Sequence, residues 1–153
     1  MVETTLSGAS HHILTNDYAS EWMGIEVLKL DDGHATIRMS LRQEMLNGFG
    51  MAHGGMIFAF GDTAFALACN PASPPPQEAA NITVASGVDI NFIKPAYQGQ
   101  VITAVANRRA STGRSGLYDI QIFAASPDEA PSPEAPGELI AEFRGRSRTI
   151  TKK

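Results

Sequence analysis

The stretch that most constrains this chain runs from Asn47 to Asn70. It opens as a glycine-rich loop, Asn47-Gly48-Phe49-Gly50-Met51-Ala52-His53-Gly54-Gly55. It then passes without a break into Met56-Ile57-Phe58-Ala59-Phe60-Gly61-Asp62-Thr63-Ala64-Phe65-Ala66-Leu67-Ala68-Cys69-Asn70. The second half has helix-forming composition, and Pro71 followed by Pro74-Pro75-Pro76 ends it, because proline lacks the N–H that a helix interior needs. From Gly55 to Cys69 the segment makes about four turns, roughly 22 Å long. Its residues are apolar on nearly every side, which predicts a buried helix rather than an amphipathic surface one. One charge interrupts it, Asp62. A lone carboxylate on a buried helix costs several kcal/mol unless paired or hydrogen-bonded, so its presence asks for a chemical reason.

The rest of the chain reads mainly as strands. Asn16 or Asp17 can cap a short helix through Tyr18, Ala19, Trp22 and Met23. From Ile25 the period falls to two. Ile25, Val27, Leu28 and Leu30 lead to Asp31-Asp32-Gly33, and Ala35, Ile37 and Met39 alternate with polar residues beyond it, which is a strong hairpin signal. After the prolines of 71–80, a long strand runs from Ile82 to Ile93 and ends at Lys94-Pro95, with Gly87 inside it marking a bulge or a close approach by a ligand. Val101 to Ala110, Leu117 to Ala125 and Leu139 to Ile150 are further strands. Residues 126–137, polar and rich in proline, read as a mobile loop outside the core, and 1–10 as a loose terminus carrying His11 and His12 at its exposed edge. Strands in series with a single long helix predict an α+β fold. The expectation is a five- to six-stranded antiparallel sheet, its last four strands in meander, wrapped around the helix.

At 153 residues the chain fits one domain spanning 1–153. With a net charge of -4 it offers no global basic field for nucleic acid or an anionic membrane. Its single cysteine, Cys69, excludes an internal disulfide and suits a reducing cytoplasm. No run is long enough to span a bilayer, and the N-terminus lacks the charged and apolar regions of a secretory signal.

The run Asn47-Gly48…His53-Gly54-Gly55…Asp62-Thr63-Ala64-Phe65-Ala66 closely resembles the phenylacetic-acid-degradation branch of hotdog-fold acyl-CoA thioesterases. Val84-Ala85-Ser86…Asp89-Ile90-Asn91-Phe92-Ile93-Lys94-Pro95 and Phe143-Arg144-Gly145-Arg146 look like the same branch, so the likeness covers most of residues 15–150. The two proline-rich insertions, at 71–80 and 126–137, depart from it. The resemblance implies that the Gly54 amide, at a helix N-terminus, polarises a thioester carbonyl, and that Asp62 attacks it or activates a water. It further implies that Asn47 and His53 shape the site, His53 chiefly by fixing the Gly-Gly turn, and that Gly55 allows close backbone approach. No cofactor is expected, since CoA is part of the substrate.

Spacing adds one inference. Gly54 and Asp62 are eight residues apart, about 12 Å along one helix, so both cannot touch one carbonyl from the same chain. A second, antiparallel copy could bring them together, which predicts an isologous homodimer with composite sites. In the family, dimers often pair into homotetramers. Phe49 and Met51 are expected in the acyl pocket, whereas Phe58 and Phe65 have the spacing of core residues. Thr63 and Ser86 could orient a water or the carboxylate, with Gly87 and Asp89 nearby on the strand. Lys94, Arg108, Arg109, Thr112, Gly113, Arg114 and Arg148 could contact CoA phosphates, which suit guanidinium groups and turn amides.

Other chemistries fit less well. A hotdog dehydratase would need a paired catalytic histidine, and a non-catalytic acyl-CoA binding module would gain nothing from a buried acid. His53 and Asp62 have no further ligands at metal-binding spacing, and Cys69 lacks a histidine beside it in sequence.

Overall fold

The computed structural model describes residues 8–152. Strands β1 (Glu26–Asp31) and β2 (His34–Ser40) form the expected hairpin, with Gly33 at φ 69 supplying the left-handed turn residue. Helix α1 (Tyr18–Met23) precedes them. Its cap is Asp17, whose side chain accepts from the Ser20 amide at 3.0 Å. Helix α2 (Gly54–Cys69) begins one residue before the predicted start. It is followed by β3 (Asn81–Phe92), β4 (Val101–Thr112), β5 (Ser115–Ala125) and β6 (Glu138–Thr151).

All six strands join one antiparallel sheet in the order β1-β2-β4-β5-β6-β3. The expected four-strand meander is therefore corrected. Only β4, β5 and β6 follow one another, and β3 lies at the far edge against β6. The cause is α2, which crosses the sheet face and delivers the chain to the opposite edge. There β3 pairs with β6 once that strand arrives.

The core is sandwiched between α2 and the sheet. Phe60, Ala64, Phe65 and Leu67 of α2 pack on Ile37, Ile102, Ile120, Ile122 and Phe143. Each large side chain so buried contributes about 1.5–3 kcal/mol. Helix and sheet approach closely at Gly61, where a β-carbon would stand 2.9 Å from Phe143 Cδ2.

Two further expectations change. The helix is not buried on every side: Gly55 and Phe58 are exposed and Ala59, Asp62 and Ala66 half-buried, making one open face. His11, expected at an exposed edge, is buried. Its Nε2 donates to the Asn70 carbonyl at 2.8 Å, and its Nδ1 accepts from the Ile13 amide at 3.3 Å. Desolvation holds it below the ordinary histidine range, in the neutral form that the accepting Nδ1 requires. His12 is exposed, and the part of the expected loose terminus before residue 8 lies outside the described residues. The 126–137 insertion opens with a short helical turn, Pro127–Glu129, capped reciprocally by Ser126 and Glu129.

Candidate active site

The loop before α2 is held by its own side chains. Asn47 Oδ1 accepts from the amides of Phe49 at 2.9 Å and Met51 at 3.2 Å, and the Asn47 amide donates to the Met51 carbonyl at 2.7 Å. Its side-chain carbonyl is therefore spent on the loop. The His53 amide donates to the Met45 carbonyl at 2.8 Å, which fixes the entry to the helix.

His53 is the N-cap of α2. Its Nδ1 accepts from the Gly55 amide at 3.0 Å, and its carbonyl accepts from Met56 at 2.9 Å and Ile57 at 3.2 Å. Among the first four helical amides, Gly54 alone has no acceptor among the described residues. An unpaired N–H at the positive end of a helix is an anion- or carbonyl-binding group.

Gly54 lines a cavity of about 330 Å³ together with Met51, Ile57, Phe92, Ala96 and Ile140. Ile57, Ala96 and Ile140 are buried and form its back, while Phe92, Ile93 and Lys94 are exposed at its mouth. The wall after β3 is fastened by main chain, since the Ile140 carbonyl accepts from both Ile93 at 2.8 Å and Lys94 at 3.2 Å. The sequence reading missed Phe92, Ile57, Ala96 and Ile140 as cavity residues. Phe92 shares the inward parity of Val88 and Ile90, and that alternation was the signal available for it.

Asp62 lies two turns further along, on the open face of α2 with Gly55 and Phe58. No described residue hydrogen-bonds its carboxylate. Burial, and secondly the Asp17 carboxylate, hold it above the ordinary carboxylate range, so it is a stronger base than a free aspartate. Thr63 does not turn to it: Thr63 Oγ1 meets Ser20 Oγ at 3.0 Å, and Ser20 Oγ donates to Asp17 at 2.8 Å.

The structure disperses the remaining candidates. Met51 lines the cavity, but Phe49 stands 86% exposed outside it, and Phe65 is core, as its spacing predicted. Ser86 sits in the β3 bulge and donates to the Arg146 carbonyl at 3.1 Å. The close approach at Gly87 is made by the Arg146 guanidinium, which occupies the space a β-carbon would need. Asp89 is exposed opposite Arg144, which with Arg109 pairs with Asp119 on the outer sheet face. Lys94 pairs with Glu138 at 2.6 Å and Arg108 with Asp32 at 3.0 Å. Thr112, Gly113 and Arg114 form the β4–β5 turn near the C-terminal end of α2, with Arg148 on β6 beside it, so they lie far from Gly54 of the same chain. Arg114 and Arg148 make no ion pair among the described residues. Burial pushes the Cys69 thiol up to about 12, which removes it as a nucleophile near neutral pH.

Residues 49–130 match the thioesterase superfamily. The acyl-coenzyme A thioesterase PaaI of Escherichia coli is 35% identical over 141 residues, covering 92% of this chain and 89% of that protein. The structure of E. coli PaaI superposes with a TM-score of 0.74 at 33% identity, covering 90% of this chain and 88% of the other. A variant of the phenylacetic acid degradation protein PaaI from Thermus thermophilus superposes with a TM-score of 0.70 at 26% identity, over 86% and 98% of the two chains. No helix among the described residues is long and apolar enough to cross a membrane. With its hotdog architecture of six antiparallel strands around one main helix, the chain belongs to the thioesterase superfamily and is a thioester hydrolase of the PaaI type.

Proposed function

We propose that this protein hydrolyses an acyl-CoA, of the aryl-acetyl or medium-chain type, to the free acid and CoA without a cofactor. The observation that carries this reading is the unpartnered Gly54 amide at the head of α2, opening onto an apolar cavity. That amide hydrogen-bonds the thioester carbonyl and stabilises the negative charge that develops on its oxygen, an effect worth about 3–4 kcal/mol in such sites. The acyl group enters the cavity and the thiol leaves toward solvent. Asp62, whose carboxylate is raised toward a useful base, either attacks the carbonyl carbon or takes the proton of an attacking water.

Because Gly54 and Asp62 stand about 12 Å apart on one helix, the working site is composite and uses Asp62 of the partner subunit. Two features support this reading: α2 leaves one face open, and the outer edge of β3 has no partner strand among the described residues, with Val84, Phe92 and the following Ile93 exposed. If antiparallel helices bring residue 54 beside residue 62 in both directions, the twofold axis passes near Phe58, midway between them. The C-terminal end of each α2 then lies toward the Asn47 loop of the other. That arrangement carries the Thr112–Arg114 turn and Arg148 toward the opposite site, where their free guanidinium groups suit the CoA phosphates.

The test is thiol release from phenylacetyl-, benzoyl-, hexanoyl- and palmitoyl-CoA by the wild-type protein and Asp62→Asn. Turnover of one class, lost by a factor of about 100 or more in the variant, is expected. Unchanged turnover in Asp62→Asn would remove Asp62 from the mechanism. Binding of acyl-CoA without turnover of any member would make the protein a sensing module.

A further inference from the structure

The carboxylate of Asp17 heads a short chain of hydroxyls that ends next to Asp62. Its Oδ1 accepts from the Ser20 amide at 3.0 Å, the N-cap bond of α1, and its Oδ2 accepts from Ser20 Oγ at 2.8 Å. Ser20 Oγ in turn stands 3.0 Å from Thr63 Oγ1, on the residue that follows Asp62 in α2. An ionised carboxylate only accepts hydrogen bonds, which fixes the direction of the chain. Ser20 gives its proton to Asp17, and its oxygen accepts from Thr63. Ser20 is 1% exposed, so water does not compete for this bridge.

Two consequences fall on Asp62. The Thr63 hydroxyl has its proton committed to Ser20, so it is not a donor for the neighbouring carboxylate. The negative charge of Asp17 is held beside this part of α2, where it opposes ionisation of Asp62, and no ion pair of Asp62 offsets it among the described residues. The other titratable groups on the packed elements are Glu21, exposed on α1, the neutral thiol of Cys69 on α2, and Tyr118, buried on the sheet against Phe65. In the composite site the facing element is the head of the second α2, which brings the partner's His53.

We propose that Asp17 is a positioning residue of this hydrolase: through Ser20 and Thr63 it locks α1 onto the turn of α2 that bears Asp62, and it keeps that carboxylate free of a donor from its own chain, poised to act on the thioester. The inference rests on the thioesterase reading above and adds to it the residue that prepares Asp62.

The experiment measures kcat and kcat/KM between about pH 4.5 and 8.5 for wild type, Asp17→Asn, Ser20→Ala and Glu21→Gln, on the acyl-CoA of the panel above that wild type turns over fastest. The acid limb of kcat/KM reads the ionisation of the essential base in the free enzyme. Asparagine caps a helix as well as aspartate does, so Asp17→Asn keeps α1 in place while it removes the charge and frees the Thr63 proton. Its acid limb should move down by about half a pH unit or more, and its plateau kcat should fall with KM little changed, because the base it leaves is weaker. Ser20→Ala, which cuts the bridge but keeps the charge, should move the limb the same way by less. Glu21→Gln, which takes a charge from the exposed side of the same helix, should leave it in place. An acid limb unmoved in Asp17→Asn or in Ser20→Ala, or one displaced as far by Glu21→Gln, would overturn the proposal while leaving the enzyme a thioesterase. No turnover of any panel member by wild type would overturn the thioesterase reading, and this inference with it.

Discussion

Gly145 and Phe65 are fitted to each other across the helix–sheet interface: a β-carbon on Gly145 would stand 2.6 Å from Phe65 Cε2, with the rest of the ring edge scarcely farther. Both residues are buried, and Phe65 is flanked by Tyr118 and Phe143, so the ring has nowhere to retreat. Gly145→Ala should therefore cost about 1–3 kcal/mol through overpacking. Thermal unfolding checks this, with a fall of several degrees expected. The glycine in Phe143-Arg144-Gly145-Arg146 thus answers to packing.

Asp62→Asn should gain stability while it loses activity. The folded-state pKa of Asp62 lies above its value of 3.8 in the unfolded chain, so native protein binds that proton more tightly. Stability from this group is full below pH 3.8 and is lost as pH rises through the folded-state pKa. At pH 7 the variant, which carries no charge to desolvate, should melt above wild type. The gap should close as both are titrated below the unfolded value. A variant that melts lower than wild type at pH 7 would contradict the electrostatic account.

His11 makes the opposite prediction. Its pKa is depressed below the model-peptide value of 6.5, so its contribution is present above that pH and lost as pH falls through the folded-state pKa. His12 stacks on it, and Asp31, Asp32, Glu78, Cys69 and Arg108 line the adjoining hollow. Asp32 is paired with Arg108 and the thiol stays neutral, so the buried imidazole is the group in this hollow whose desolvation opposes protonation as pH falls. Urea midpoints between pH 7.5 and 5.5 should fall more for wild type than for His11→Gln, an amide that can still donate to the Asn70 carbonyl.

If the twofold axis passes near Phe58, a Phe58→Cys chain should form an intersubunit disulfide under mild oxidant. Phe58 is 37% exposed on the open face of α2, so the new thiol is reachable. Native Cys69 should stay silent as a control, since its thiol is held to about 12. Non-reducing electrophoresis gives the answer. A Phe58→Cys chain that remains monomeric under oxidant would displace the axis and with it the pairing of residues 54 and 62.

Local signals carried the sequence reading well where structure is local. Asp31-Asp32-Gly33 dictates its hairpin, and the prolines after Asn70 stop α2. What failed depends on residues distant in sequence. His11 is buried because Asn70 comes to it, and β3 cannot pair until β6 has been made. Gly87 signalled the bulge that the β3 register shows, but the close approach expected of a ligand is made by Arg146, from a strand whose register no local pattern fixes. The cavity joins Gly54, Phe92, Ala96 and Ile140, so it exists only once helix, edge strand and last strand have met.

The paired hydrogen bonds at the Ile140 carbonyl bear on how such a site changes over generations. The backbone that shapes the pocket wall is tied by N–H groups of Ile93 and Lys94, which every residue except proline possesses. The contour of the wall is therefore insulated from the identity of the side chains mounted on it. Descendants can exchange those side chains and sample new acyl groups without first undoing the loop. Diet can drift while the frame is inherited intact.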